Sequence, residues 1–222
     1  MPEGYCVSQR RKGNLMKYAP ERHRRRSIRL RGYDYSQPGA YFITIVAHER
    51  QCLFGTVVDG EMRLNKYGVI VHEEWLAAAH IRPYARLDEN ELMVMPNHVH
   101  GIIWIVDTVG VTQDIVGATR RVTPTTANRP VGPARGSIGA IIGQFKSVTT
   151  KRINATRGTP GSPVWQRNYY EHIIRNDEPL KRIRQYIATN PLCWAMDREN
   201  PDRSAVDEFD QWLYRFANKN NR

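Results

Sequence analysis

Apolar and polar positions along the 222-residue chain alternate in ways that mark out a short series of elements. "AYFITIV", Ala40 to Val46, is a β-rich run, and "CLFGTVVDGEMRLN" follows it. There Asp59-Gly60 separates two apolar stretches, which is a hairpin signal. "KYGVIVHEEWLAAAH", Lys66 to His80, has the apolar content and alanines of a helix packed on a sheet. "LMVMPNHVHGIIWIVD", Leu92 to Asp107, reads as a strand, or a pair of strands broken at Pro96-Asn97. Further on, Ile138, Ile141, Ile142, Phe145 and Val148 recur at helical spacing, with Ser137 placed to cap the helix. "YYEHIIR" fits a core strand or a helix start. "DEPLKRIRQYIATNP" predicts a helix that buries Leu180, Ile183 and Ile187, and Pro191 disfavours helical geometry at Asn190. This order predicts an α+β fold, most simply one antiparallel sheet with helices packed on it.

Charge changes the picture at the ends and in one long interruption. Lysine and arginine number 33 against 22 acidic residues, a formal charge of +11. Such an excess points to polyanionic partners, nucleic acid before an anionic membrane surface. Residues 1–32 hold ten of the basic residues, Arg24, Arg25 and Arg26 among them, and are expected to form a flexible arm. Residues 108–136, rich in Thr, Gly, Pro and Arg, read as a long loop or insertion that carries Arg120 and Arg121. The core domain is then expected over 33–201, with a helical tail over 202–222. Cys6, Cys52 and Cys193 show no zinc or disulfide spacing, and the N-terminus lacks the apolar stretch of a signal peptide. No run approaches the roughly 20 apolar residues of a membrane span. A cytoplasmic protein is expected.

The candidate chemistry lies in the strand-like run. Alternation puts His98 and His100 on one face with Ile102 and Trp104, while Val99, Gly101, Ile103 and Ile105 line the other. Both faces are apolar beyond the histidines, as in a central strand. Two same-face imidazoles either chelate one metal ion or simply hydrogen-bond at a strand end. On the last helix Tyr186 and Asn190 are four apart and share a face. An asparagine carbonyl suits a hard ion such as magnesium or manganese, so this face becomes interesting if it meets the histidine strand.

"MPNHVHGIIWI", followed by "VWQRNYYEHIIRNDEPLKRIRQYIATNP", resembles the REP-associated tyrosine transposases, relatives of the single-tyrosine HUH transposases of bacterial insertion sequences. "YFITIVAHERQCLFG" is similar to the first strand of that family and the segment after it. The resemblance spans about Ser27 to Pro201. It implies a ferredoxin-like HUH endonuclease fold with a C-terminal tyrosine-bearing helix, cleaving and rejoining single-stranded DNA at the foot of hairpins. In that pattern His98 and His100 match the HUH histidines, Tyr186 the nucleophile that forms a 5′-phosphotyrosine, and Asn190 the third metal ligand, for Mg2+ or Mn2+. It also implies DNA transposition and recombination, a nucleoid-associated location, and either a dimer or a monomer. Arg24, Arg25, Arg26, Arg120, Arg121, Lys146, Lys151, Arg152 and Arg182 are the candidate phosphate contacts. Tyr169 and Tyr170 are rival nucleophiles, assigned to packing or base stacking, and His172 is a rival ligand. Two other functions fit the same residues: a non-catalytic, domesticated hairpin-binding protein, and a metal-dependent phosphoesterase that uses water.

Overall fold

The computed structural model describes residues 32–107, 133–205, 208, 209 and 211–213. Arg24, Arg25, Arg26, Arg120 and Arg121 lie outside the described residues, as do nearly all of the expected arm and most of the expected 108–136 loop.

Four strands form the main sheet: β1 (Gly39–Val46), β4 (Ala85–Val94), β5 (His98–Ile105) and β6 (Tyr170–Ile174). Their spatial order is β4-β5-β1-β6, and every neighbouring pair is antiparallel. The two central strands sit far apart in sequence, Thr44 opposite His100 and Val46 opposite His98. A separate hairpin, β2 (Gly55–Val58) with β3 (Glu61–Leu64), turns at Asp59-Gly60, both at positive φ. The helices are α1 (Lys66–His80), α2 (Ile138–Arg157) and α3 (Asp177–Thr189). Without the hairpin, β1-α1-β4-β5-α2-β6 is the split βαβ order of ferredoxin-like folds. The α+β fold expected from the sequence is therefore the one observed.

Local chemistry sets the helix ends. The Asn65 side chain accepts from the Tyr67 and Gly68 amides to start α1, and Ser137 accepts from Ala140 to start α2. Asp177 and Glu178 occupy the first turn of α3, where the helix dipole favours negative charge. Pro191 ends the α-helix as expected, and the chain continues as a 3₁₀ turn over Asn190–Met196. "YYEHIIR" resolves as strand β6.

Because β5 is central, both its faces are buried. On one side Tyr41, Ile43, Ile45, Val99 and Ile103 meet α1 and α2 through Trp75, Ile141 and Phe145. Gly101 lies on this side, and a Cβ there would come within 2.5 Å of the Trp75 ring, so glycine is what leaves room for the indole against the strand. On the other side Ala40, Phe42 and Ile102 meet α3 through Leu180, Ile183, Tyr186 and Ile187. The histidines and the tyrosine are thus brought to a single interface between the sheet and α3. Among the described residues no helix is long and apolar enough to cross a membrane.

Candidate active site

His98 and His100 leave β5 on the α3 side, and both are buried, His98 completely. Their Nε2 atoms approach to 2.9 Å. Each ring is fixed from behind. His98 Nδ1 lies 2.8 Å from Asn97 Oδ1, and His100 Nδ1 lies 2.9 Å from Thr44 Oγ1. The Asn97 amide nitrogen is committed to two carbonyls, Arg50 O at 3.1 Å and Glu199 O at 2.7 Å. Asn97 Oδ1 must therefore accept, His98 Nδ1 must donate, and the lone pair of His98 is left on Nε2. Such partners behind an imidazole are what orient a metal-binding histidine. Burial, reinforced by the neighbouring His100, pushes the His98 pKa down to about 3, so the ring stays neutral, the form that ligates.

Helix α3 supplies the phenol. Tyr186 Oη is 3.2 Å from His100 Nε2 and 3.4 Å from Asp197 Oδ2, to which it donates. The ring packs edge-on to Phe42 and flat on Phe209, 3.8 Å between centroids. The nucleophile expected from the sequence and the histidine pair therefore share one site within a single chain.

Asp197 joins the site with no motif to mark it. The 3₁₀ turn after α3 delivers it, 1% exposed, beside both imidazoles, with Oδ2 at 3.7 Å from His98 Nε2 and 4.0 Å from His100 Nε2. His98, His100 and Asp197 form a group able to hold one metal ion. Burial works against the charge on Asp197, but the two imidazoles and the Asn190 amide outweigh it and hold the carboxyl below the usual carboxylate range. The Glu199 amide donates to Asp197 Oδ1 at 2.7 Å. Asn190 is completely buried and donates through Nδ2 to Asp197 Oδ2 at 2.9 Å, while its Oδ1 has no partner among the described residues. The only sequence signal for Asp197 was an acidic residue closing the apolar stretch "PLCWAMD".

A cavity of about 760 Å³ opens beside these groups, with His100, Tyr186 and Asp197 in its wall, and Arg50, Arg167 and Arg198 around it. Lys146 also lines it, but its Nζ donates to the Gln166 and Asn168 carbonyls at 2.9 Å each, and burial lowers its pKa to about 8. Arg152 is paired with Glu73 and Glu74 across to α1. Lys151, also exposed on α2, has no ion pair among the described residues. The Arg182 guanidinium stacks over Trp212 at 4.5 Å. Tyr170 packs edge-on to Phe42 from β6 and lines the same cavity, while His172, buried on the same strand, stands outside the group of His98, His100 and Asp197.

Fold and site together define a ferredoxin-like α+β protein in which a central-strand imidazole pair faces a phenol and a carboxylate from one C-terminal segment. No protein-family model matches the chain. An uncharacterized protein of Haemophilus influenzae is 38% identical over 185 residues, 82% of this chain and 96% of that protein, and the chain belongs to the same family. Among solved structures, a REP-associated tyrosine transposase bound to a REP hairpin is similar at 16% identity. It matches 72% of this chain and 70% of its own, with a TM-score of 0.45. A candidate transposase from Deinococcus radiodurans is similar at 17% identity over 71% of this chain and 93% of its own, with a TM-score of 0.33.

Proposed function

We propose that the chain is a metal-dependent single-stranded DNA endonuclease and strand transferase of the single-tyrosine HUH type, acting on hairpin elements through a 5′-phosphotyrosine. One observation carries this reading: Tyr186 Oη stands 3.2 Å from His100 Nε2, inside the group formed by His98, His100 and Asp197.

The donor set fits a divalent cation. Two imidazoles offer Nε2, one carboxylate offers Oδ2, and Asn190 Oδ1, without a partner among the described residues, is a buried carbonyl oxygen beside them. His98, His100 and Asp197 would hold the ion, with Asn190 completing the set. When bound, the ion supplies Lewis-acid stabilisation of charge on the scissile phosphate. The rest of the work belongs to the protein. Thr44 and Asn97 keep the imidazoles facing the phenol. Asp197 accepts the phenol hydrogen bond and aims Oη. Phe42 and Phe209 hold the ring so that attack starts from one geometry.

In the step itself the bond formed is Tyr186 Oη to phosphorus and the bond broken is phosphorus to the 3′ oxygen. The proton lost by the phenol balances the one gained by the leaving 3′-hydroxyl. The phosphodiester energy is kept in the protein–DNA link, so a second 3′-hydroxyl reverses the step and joins new ends.

The test is a covalent adduct. Wild-type protein with Mn2+ and a hairpin oligonucleotide bearing single-stranded flanks should give a DNA-linked band that survives denaturation. Tyr186→Phe should lose that band and still shift the hairpin in a native gel. Hydrolysed ends that persist in Tyr186→Phe with no protein attached would instead identify water as the nucleophile. An adduct that vanishes only in Tyr170→Phe would move the nucleophile to β6.

A further inference from the structure

The cavity beside Tyr186 is walled on one side by Arg50, for which the sequence alone suggests no role. Arg50 follows β1 in a short 3₁₀ turn, His48–Arg50, and has φ 55°, while Glu49 before it has φ 53°. Two consecutive non-glycine residues in the left-handed region are uncommon, and such conformations persist where surroundings impose them, often at functional sites. Here the surroundings are visible. The fully buried Asn97 amide, whose oxygen orients His98, donates to the Arg50 carbonyl and to the Glu199 carbonyl. One side chain therefore fixes an imidazole of the candidate metal site and the backbone that launches Arg50.

The guanidinium is fixed as well. Arg50 Nε donates to Glu199 Oε2 at 2.9 Å, and Glu199 is itself buried. The opposite oxygen, Glu199 Oε1, accepts from Arg198 at 3.2 Å. Glu199 thus holds two arginines with one charge, leaving a net positive edge. The Arg50 side chain remains 46% exposed, and its two Nη groups have no partner among the described residues. A guanidinium tethered through Nε presents its Nη donors outward, in the fork geometry that matches phosphate oxygens.

We propose that Arg50 is a phosphate-binding residue for the substrate strand, seated by Asn97 and Glu199 so that a backbone phosphate next to the one attacked by Tyr186 docks on its Nη groups. The proposal rests on the reading that the chain acts on single-stranded DNA, and it adds a substrate contact to that reading. It is independent of which ion the site takes.

The experiment measures binding of a fluorescein-labelled oligothymidylate to the full chain carrying Tyr186→Phe, by anisotropy over a salt series without added metal. With Arg50→Gln added, affinity should fall roughly tenfold at low salt. The slope of log K against log salt should become shallower by about 0.7, the value of one single-strand phosphate contact. Arg50→Lys, which keeps the charge, should restore most of the slope. A purely structural arginine would lower the melting temperature of the variant and leave the slope unchanged, and that result overturns the proposal while the DNA reading stands. No binding by the Tyr186→Phe parent at any salt overturns both. If Arg50→Gln does not fold, phenylglyoxal modification of the wild-type protein decides: oligothymidylate should shield Arg50 in peptide mass spectra, and an unshielded Arg50 under saturating oligonucleotide refutes the contact.

Discussion

Gly101→Ala tests the packing that carries the histidine strand. Gly101 lies on β5 next to His100, opposite Ile43 of β1 and Leu92 of β4. An alanine Cβ would stand 2.5 Å from Trp75 Cζ2 and 2.7 Å from Cη2. Comfortable carbon contacts begin near 3.5 Å, so the indole or the strand must retreat by roughly 1 Å. Trp75 is 1% exposed and packed edge-on against Phe145 at 5.6 Å, so the retreat propagates into α2. Overpacking of this kind costs about 1–3 kcal/mol. For a chain of this size, that lowers the melting temperature by roughly 2–12 °C. Trp75→Phe should relieve the clash. In a double-mutant cycle the pair should be more stable than the sum of the single losses, with a coupling of about 1 kcal/mol or more. Thermal melts followed by far-UV circular dichroism give all four corners. A Gly101→Ala protein as stable as the wild type, or strict additivity with Trp75→Phe, would refute the reasoning.

Two further outcomes follow from the site and the sheet. Asp197→Asn should weaken Mn2+ binding at least about tenfold by calorimetry, because a charged oxygen donor beside two imidazoles is replaced by a neutral one; unchanged affinity would remove Asp197 from the donor set. His172, held by burial and nearby Arg175 at a pKa of about 4, should make the fold acid-sensitive. Its folded pKa lies below the unfolded value of 6.5, so the unfolded chain binds the extra proton. Stability from this group is therefore complete above pH 6.5 and lost as pH falls toward 4, by up to ~1.4 kcal/mol per pH unit. Denaturant melts across that window should show a shallower slope in His172→Gln, and parallel curves would exclude the effect.

Much of the fold was legible because it is local. The helix Lys66–His80 has the bounds its apolar content predicted, the Asp59-Gly60 hairpin forms, and Pro191 stops the α-helix. The alternation around His98 and His100 correctly implied a two-sided central strand. What stayed hidden depends on closure in space. Nothing local says that Thr44 pairs with His100, or that Asn97 reaches Arg50 and Glu199. Asp197 was invisible for the same reason, since its meaning comes from a turn that folds back beneath the helix. Spacing also shows which helix face a cation occupies but not what that face meets. Lys146 and Arg152 read as outward phosphate contacts, yet one holds the 166–168 backbone and the other pairs with α1.

Tyr186 and its carboxylate neighbour Asp197 share one uninterrupted stretch, Asp177 through Asp197, whereas both imidazoles stand on a central strand of the sheet. A sliding or tilting of that stretch carries phenol and carboxylate away together and leaves the histidines where they are. Any rigid displacement of the stretch would therefore part the imidazoles from both oxygen donors at once.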